Sequence, residues 1–275
     1  MTIPSRPLGL AALSLLSTPP DEFVRIAADA GFDFVGLRVR RVTDAEPDYD
    51  LSPGSALQRR TLAALRDTGL QVIDTEFLLL DGSDQREQWL QALEAAAGLG
   101  AETLTVAAAD TDQNRLRDTL SRIVADGTQF GGIRPALEAI SYQAVNSIPQ
   151  AAELAAQTGA CFLPDTLHLS RFGGTTGELS AAADLVPMLQ LCDGPAKPPA
   201  DRSGLVLESR AERRSPGDGD FALVDYVAAL PAATPVSVET PSDSGVVALG
   251  PAGWAEKLYV DTRAMLDRVP ADIIR

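Results

Sequence analysis

Along this chain, amphipathic helical stretches repeatedly end in glycine and pass at once into short β-type runs. "IAADAGFDFVGLRV", "LAALRDTGLQVIDTEF", "LEAAAGLGAETLTVAA" and "LAAQTGACFLPDTLHL" all follow this form, with Gly31, Gly69, Gly100 and Gly159 at the junctions. Glycine just past a helix supplies the left-handed C′ conformation from which the chain can turn straight into a strand. Extending the pattern gives eight strand candidates, near 7–16, 33–40, 70–80, 102–109, 133–140, 161–168, 188–193 and 234–240. Helical periodicity fills the intervals near 20–30, 55–68, 85–98, 113–126, 147–158, 179–186 and 221–230, with a last helix near 252–268. Eightfold β-α alternation over this length predicts a (β/α)₈ TIM barrel, one domain spanning 1–275. A doubly wound open sheet is the rival, but no glycine-rich phosphate fingerprint follows the first strand.

The barrel tells where to look for chemistry: at the C-terminal ends of the strands and in the loops after them. Alternation along each strand then picks out the inward side chains. In "TPVSVETP", Val236 and Val238 share the parity that faces the helices, while Ser237 and Glu239 face inward. Leu163 and Asp165 share a face in the same way. Glu138, Asp165, Gln190 and Glu239 thus come from four consecutive strands to one mouth. Uncompensated, such carboxylates would repel and resist desolvation, and a divalent cation removes that problem. Separate, solvated loop carboxylates are the alternative reading of the same residues.

Composition narrows the partners. A net charge of −15, with no basic cluster beyond "RRV" and "RAERR", argues against nucleic acid. Cys161 and Cys192 sit in apolar runs and read as buried free thiols of a reducing compartment. "LGLAALSLL" has only Arg6 ahead of it and no small-x-small cleavage pattern, so it reads as a first strand and not as a signal sequence. No run is long enough to cross a bilayer. These features predict a cytoplasmic protein with no membrane partner, acting on small molecules, with a homo-oligomer left open.

"ALEAIS", "PDTLHLSRFGG", "LQLCDGP", "RAERRSPGDGDF" and "VSVETP" together resemble the xylose isomerase-like TIM barrels, the sugar-phosphate isomerase/epimerase proteins grouped with hydroxypyruvate isomerase, inosose dehydratase and tagatose epimerase. The most specific element is the Asp-x-x-His of Asp165 and His168, the only histidine in the chain. The resemblance implies one divalent metal ion held by Glu138, Asp165, Gln190 and Glu239. Gln190 stands where many members carry histidine, which makes the donor set all oxygen and favours Mn²⁺ or Mg²⁺ over Zn²⁺. The resemblance also implies Glu138 and Glu239 as acid and base, and His168 and Arg210 as groups that hold substrate oxygens, with Arg213 and Arg214 as alternatives to Arg210. A histidine merely hydrogen-bonded at a loop start is the other reading of His168. Arg38 and Glu76 are expected at the same mouth, or else in an ordinary rim ion pair. Asp193 is expected to orient a metal ligand, Arg171 to hold an anionic or hydroxyl group or to be solvated, and Trp254 and Tyr142 to stack on a sugar. Asp220 is a candidate N-cap, and residues 194–220 read as a long functional loop.

The reaction implied is proton transfer in a small sugar or keto-polyol through a metal-stabilised enediolate, hence an isomerase or epimerase. A dehydratase or lyase acting on a keto-cyclitol or keto-sugar would use the same residues. An endonuclease IV-like nuclease fits poorly with one histidine and this charge, and a binding barrel without metal is the remaining alternative.

Overall fold

The computed structural model of the protein describes residues 6–270. All eight predicted strands are present: β1 Leu8–Leu10, β2 Phe34–Arg38, β3 Gln71–Leu80, β4 Thr103–Ala108, β5 Arg134–Glu138, β6 Cys161–Leu163, β7 Leu189–Leu191 and β8 Val236–Val238. They form one parallel sheet in the order β6-β5-β4-β3-β2-β1-β8-β7. Between the two outer strands, a parallel bridge pairs Asp165 with Gln190, and the Gln190 N–H donates to the Pro164 carbonyl at 2.9 Å. Two predicted site residues therefore make the contact that draws the barrel together.

The helices are α1 Pro20–Ala30, α2 Ala56–Thr68, α3 Arg86–Leu99, α4 Gln113–Gly127, α5 Ile148–Thr158, α6 Thr166–Phe172, α7 Thr176–Ala181, α8 Arg202–Ala211, α9 Leu223–Ala228 and α10 Asp243–Leu266. Helix α10 is interrupted at Gly250, ahead of Pro251, so its second part matches the predicted last helix. Three expectations are corrected. The first strand ends at Leu10 and gives way to a 3₁₀ turn over Ala12–Leu15. The sixth stops at Leu163, because the Asp165 side chain accepts from the Leu167 N–H and starts α6. The segment 194–220 is not all loop but contains α8.

Strand alternation divides the core in two. Val35, Leu37, Leu104, Val106, Leu137, Phe162, Leu189, Val236 and Val238 pack with the helices in the larger cluster. Phe34, Ala136, Cys161, Leu163 and Met188, of the opposite parity, form a small separate cluster that fills the barrel's N-terminal half. Phe34 lies so close to Gly9 that a Cβ there would sit 2.1 Å from its ring, so only glycine fits in β1. Burial of the large members of this cluster, Phe34, Leu163 and Met188, stabilises the fold by roughly 1.5–3 kcal/mol each. Further toward the C-terminal end, the inward positions turn polar: Arg38, Thr105, Glu138, Gln190 and Glu239. Among the described residues, no helix is long and apolar enough to cross a membrane.

Candidate active site

Glu138 ends β5, Asp165 caps α6, Gln190 lies in β7 and Glu239 directly follows β8. All four are buried. Gln190 Nε2 donates to Glu239 Oε1 at 2.8 Å. Glu138, Asp165 and His168 each bring a ligating atom within 4.8 Å of the others. His168 sits in the first turns of α6, where the Ser141 N–H points at Nδ1 at 3.4 Å and the Ser141 hydroxyl lies 3.2 Å away. Nδ1 is thereby the acceptor, and the ring proton sits on Nε2. Nε2 faces Glu138 Oε1 at 3.5 Å.

The centre of this cluster holds a residue that the sequence placed only as an alternative. Arg213 Nη1 donates to Asp165 Oδ2 at 2.7 Å and to the Glu239 carbonyl at 2.9 Å. Its Nη2 lies 3.0 Å from Glu239 Oε2, and Nε donates to the Ser209 carbonyl at 2.8 Å. Arg210, three residues earlier, stays at the rim and pairs with Glu46 at 2.7 Å. Arg213 is recognisable in sequence only as one member of "RAERR". Its role follows from the exit of α8 beside β8, where the Arg213 N–H donates to the Pro241 carbonyl.

Charge explains the titration of the cluster. Burial and the neighbouring Asp165 push Glu138 up to about 8. Burial also raises Glu239 well above the usual carboxylate range, against the pull of Arg213. Asp165 resists the same burial because the Arg213 guanidinium holds it ionised, below its ordinary value. His168 is forced the other way: burial drives it down to about 4, so the imidazole is neutral at physiological pH. On β3, Glu76 pairs with Arg38 at 3.0 Å. Beneath it, the buried Asp74 accepts from Thr103 and Thr105. Burial raises both carboxyls. Five acidic groups thus face two guanidinium groups inside one barrel, and the cluster is short of positive charge.

A cation fits this deficit. Gln190 Oε1 is buried with no hydrogen-bond partner, and so is Oε1 of Glu76, whose Oε2 faces Arg38. An amide oxygen left bare among carboxylates is a donor atom waiting for a positive ion, because burial without a partner costs about 1–3 kcal/mol. Glu138, Asp165, Gln190 and Glu239 are the residues that would hold it, and oxygen donors of this kind match hard divalent cations.

A cavity of about 310 Å³ opens above the cluster, lined by Glu138, His168, Glu239, Arg38, Glu76 and Arg213 together with rim residues. Tyr142 packs edge-on against His168, with ring centroids 5.6 Å apart, and donates to the Ser209 hydroxyl at 3.0 Å. Four other expectations change. Trp254 lies outside the cavity, where its indole N–H donates to the Thr240 carbonyl at 3.2 Å. The Arg171 side chain is buried and paired with Glu208 of α8. Asp193 touches no predicted ligand: it accepts the N–H groups of Gly194, Gly217, Gly219 and Phe221 at 2.8–3.0 Å and folds the loop after α8. Asp220 accepts from the Ala196 N–H and does not cap α9, whose N-cap is Ala222.

With this geometry in view, the known relatives can be compared. No curated protein matches the sequence. Among solved structures, a xylose isomerase-like TIM barrel/4-hydroxyphenylpyruvate dioxygenase fusion protein superposes with a TM-score of 0.76 at 21% identity; the match covers 94% of this chain but only 42% of that one. The IolI protein, solved with a bound zinc atom, gives 0.73 at 16% identity over 96% of this chain and 99% of its own. A probable 3-DHS dehydratase, AsbF of Bacillus anthracis, gives 0.67 at 13% identity over 95% and 99%. At such identities the likeness establishes the fold. The family model of the xylose isomerase-like TIM barrel matches residues 24–269. With nearly the whole barrel covered by that match, the chain belongs to the xylose isomerase-like TIM barrel family.

Proposed function

We propose that the protein is a divalent-metal-dependent isomerase or epimerase of a small sugar or sugar-like α-hydroxy carbonyl compound. The observation that carries this reading is the unpartnered Gln190 Oε1 in a buried carboxylate cluster that lacks positive charge. A bound Mn²⁺ or Mg²⁺ would act as a Lewis acid on the substrate carbonyl. Glu138 and Glu239 form the acid–base pair, one removing the proton beside the carbonyl and the other returning it. Neutral His168 offers its Nε2–H to a substrate oxygen, a donor aimed where negative charge develops. Arg213 keeps Asp165 ionised and holds Glu239 in place, while Arg38 and Glu76 position substrate hydroxyls and Arg210 closes the rim.

A dehydratase is the second reading, favoured by Arg202, which lines the cavity and pairs with no carboxylate among the described residues, so that it suits a carboxylate-bearing substrate. After the same proton is removed, loss of a β-hydroxyl as water would replace proton return. The two are separated by incubating the protein with Mn²⁺ and a panel of ketoses, keto-cyclitols and their carboxylates. Product of unchanged mass supports the isomerase or epimerase, and product lighter by one water supports the dehydratase. E138Q should abolish turnover, whereas retention of full activity would overturn the acid–base assignment. We place the protein among cytoplasmic enzymes acting without nucleic acid, with homo-oligomerisation compatible with the site.

A further inference from the structure

Two elements meet over the cavity: the segment 39–55 after β2, and α8. Val42 and Thr43 line the cavity from one side, and Arg202, Val206, Ser209 and Arg210 from the other. Glu46 joins them. Its Oε1 lies 2.7 Å from Arg210 Nη2 on α8. Its Oε2 accepts from the Val42 N–H at 2.9 Å and lies 3.5 Å from Arg38 Nη1. The Glu46 carboxylate is almost wholly buried although Thr43, Asp44 and Ala45 just before it are exposed.

The two sides of this bridge are anchored unequally. Helix α8 is fastened from below by the buried Arg171–Glu208 pair and by Tyr142–Ser209. Residues 40–47 have only a local Arg41–Asp44 pair besides the Glu46 bridge among their side-chain ion pairs. They also have room to move. Val42 and Thr43 line a second, larger cavity on the far side, about 860 Å³, floored by Gln88, Gln91 and Ala95 of α3. The segment is therefore a thin wall between two spaces.

We propose that Glu46 is a positioning residue that latches residues 40–47 to α8, closing the mouth and fixing Arg38 and Arg210 on its two sides. The inference rests on the proposed function in taking this cavity as the substrate site. Opening of the latch swings the segment into the space above α3 and admits substrate. Closing restores the guanidinium pair at the rim and shuts out water, as lids over barrel mouths do.

The test is amide hydrogen exchange of the full-length, substrate-free protein, comparing the parent with E46Q and R210Q. Both variants should accelerate exchange across 40–47 by about tenfold, as expected for the loss of roughly 1.4 kcal/mol of closure. Exchange in α8 should stay unchanged, because its anchor is elsewhere. Unchanged exchange over 40–47 in either variant would overturn the proposal; a change in E46Q alone would mean that Glu46 serves only the Val42 N–H. Slower folding or loss of structure is controlled by exchange in α4, remote from the mouth. Mn²⁺ binding, read by equilibrium dialysis on the same preparations, tests the metal reading separately: its failure leaves the exchange result intact, and the converse holds.

Discussion

Gln190 and Arg213 show how much one side chain can decide at this mouth. The Gln190 amide presents a carbonyl oxygen that no described residue satisfies, while the guanidinium of Arg213 fixes Asp165 and Glu239 from behind. Arg213 is fully buried, so the pair costs desolvation on both sides, and removing one partner strands the other. R213M should therefore destabilise the protein by roughly 3–5 kcal/mol, the cost of an uncompensated buried charge, measured by urea denaturation at pH 7. R214M, at an exposed side chain that makes no ion pair among the described residues, serves as the control and should change stability by less than about 0.5 kcal/mol. The convergence of Glu138, Asp165, Gln190 and Glu239 on one mouth is legible in the sequence because strand parity and strand ends are local properties. Arg213 was not: its approach depends on where α8 delivers the chain, which no periodicity encodes. Glu46 was invisible for the same reason, since its partner lies 164 residues away.

At the scale of elements, the glycine-terminated helices and apolar strand runs carried nearly the whole alternation, down to the αL caps at Gly31, Gly69, Gly100 and Gly159. The failure was α8. "DRSGLVLESRA" follows "GPAKPPA", whose prolines and glycine signal a loop, and its apolar residues Leu205, Val206 and Leu207 run in succession without a clean helical period. The helix is started by a local N-cap, Asp201, and held by a tertiary contact, Glu208 on Arg171. Asp193 was misjudged because an acidic residue beside a predicted ligand invites a metal-site reading. Its actual work is to gather four backbone N–H groups of the segment 194–221. Gly219 permits this, because a Cβ there would lie 2.3 Å from Asp193 Oδ1. D193A should cost about 3 kcal/mol, the scale expected when several donors lose a charged acceptor, and G219A should destabilise in the same direction by steric exclusion. Both should quicken amide exchange over 215–221 while leaving α1–α4 protected.

For the molecule as a whole, the opposed titrations of His168 and Glu138 set how stability depends on pH. His168 is depressed to about 4 from 6.5. Above 6.5 it is neutral folded and unfolded alike, and its penalty grows only as pH falls from 6.5 toward 4. Glu138 is raised to about 8 from 4.5. Its contribution is complete below 4.5 and is lost as pH rises through 8, because the unfolded chain releases the proton first. Between 4.5 and 6.5 the two slopes oppose each other, and above 6.5 only the carboxyl acts. The metal-free protein should therefore lose about 2 kcal/mol of stability between pH 6.5 and 8 through Glu138 alone. Glu239 and Asp74, raised well above the usual carboxylate range by burial, act in the same direction. A divalent ion takes the place of the proton, so its stabilisation must grow across the same interval. Thermal denaturation after chelation, repeated with Mn²⁺ at pH 6.5 and pH 8, should show a larger rise in Tm at the higher pH. An equal rise at both values would mean that the ion binds away from Glu138, and the barrel mouth would then need another source of positive charge.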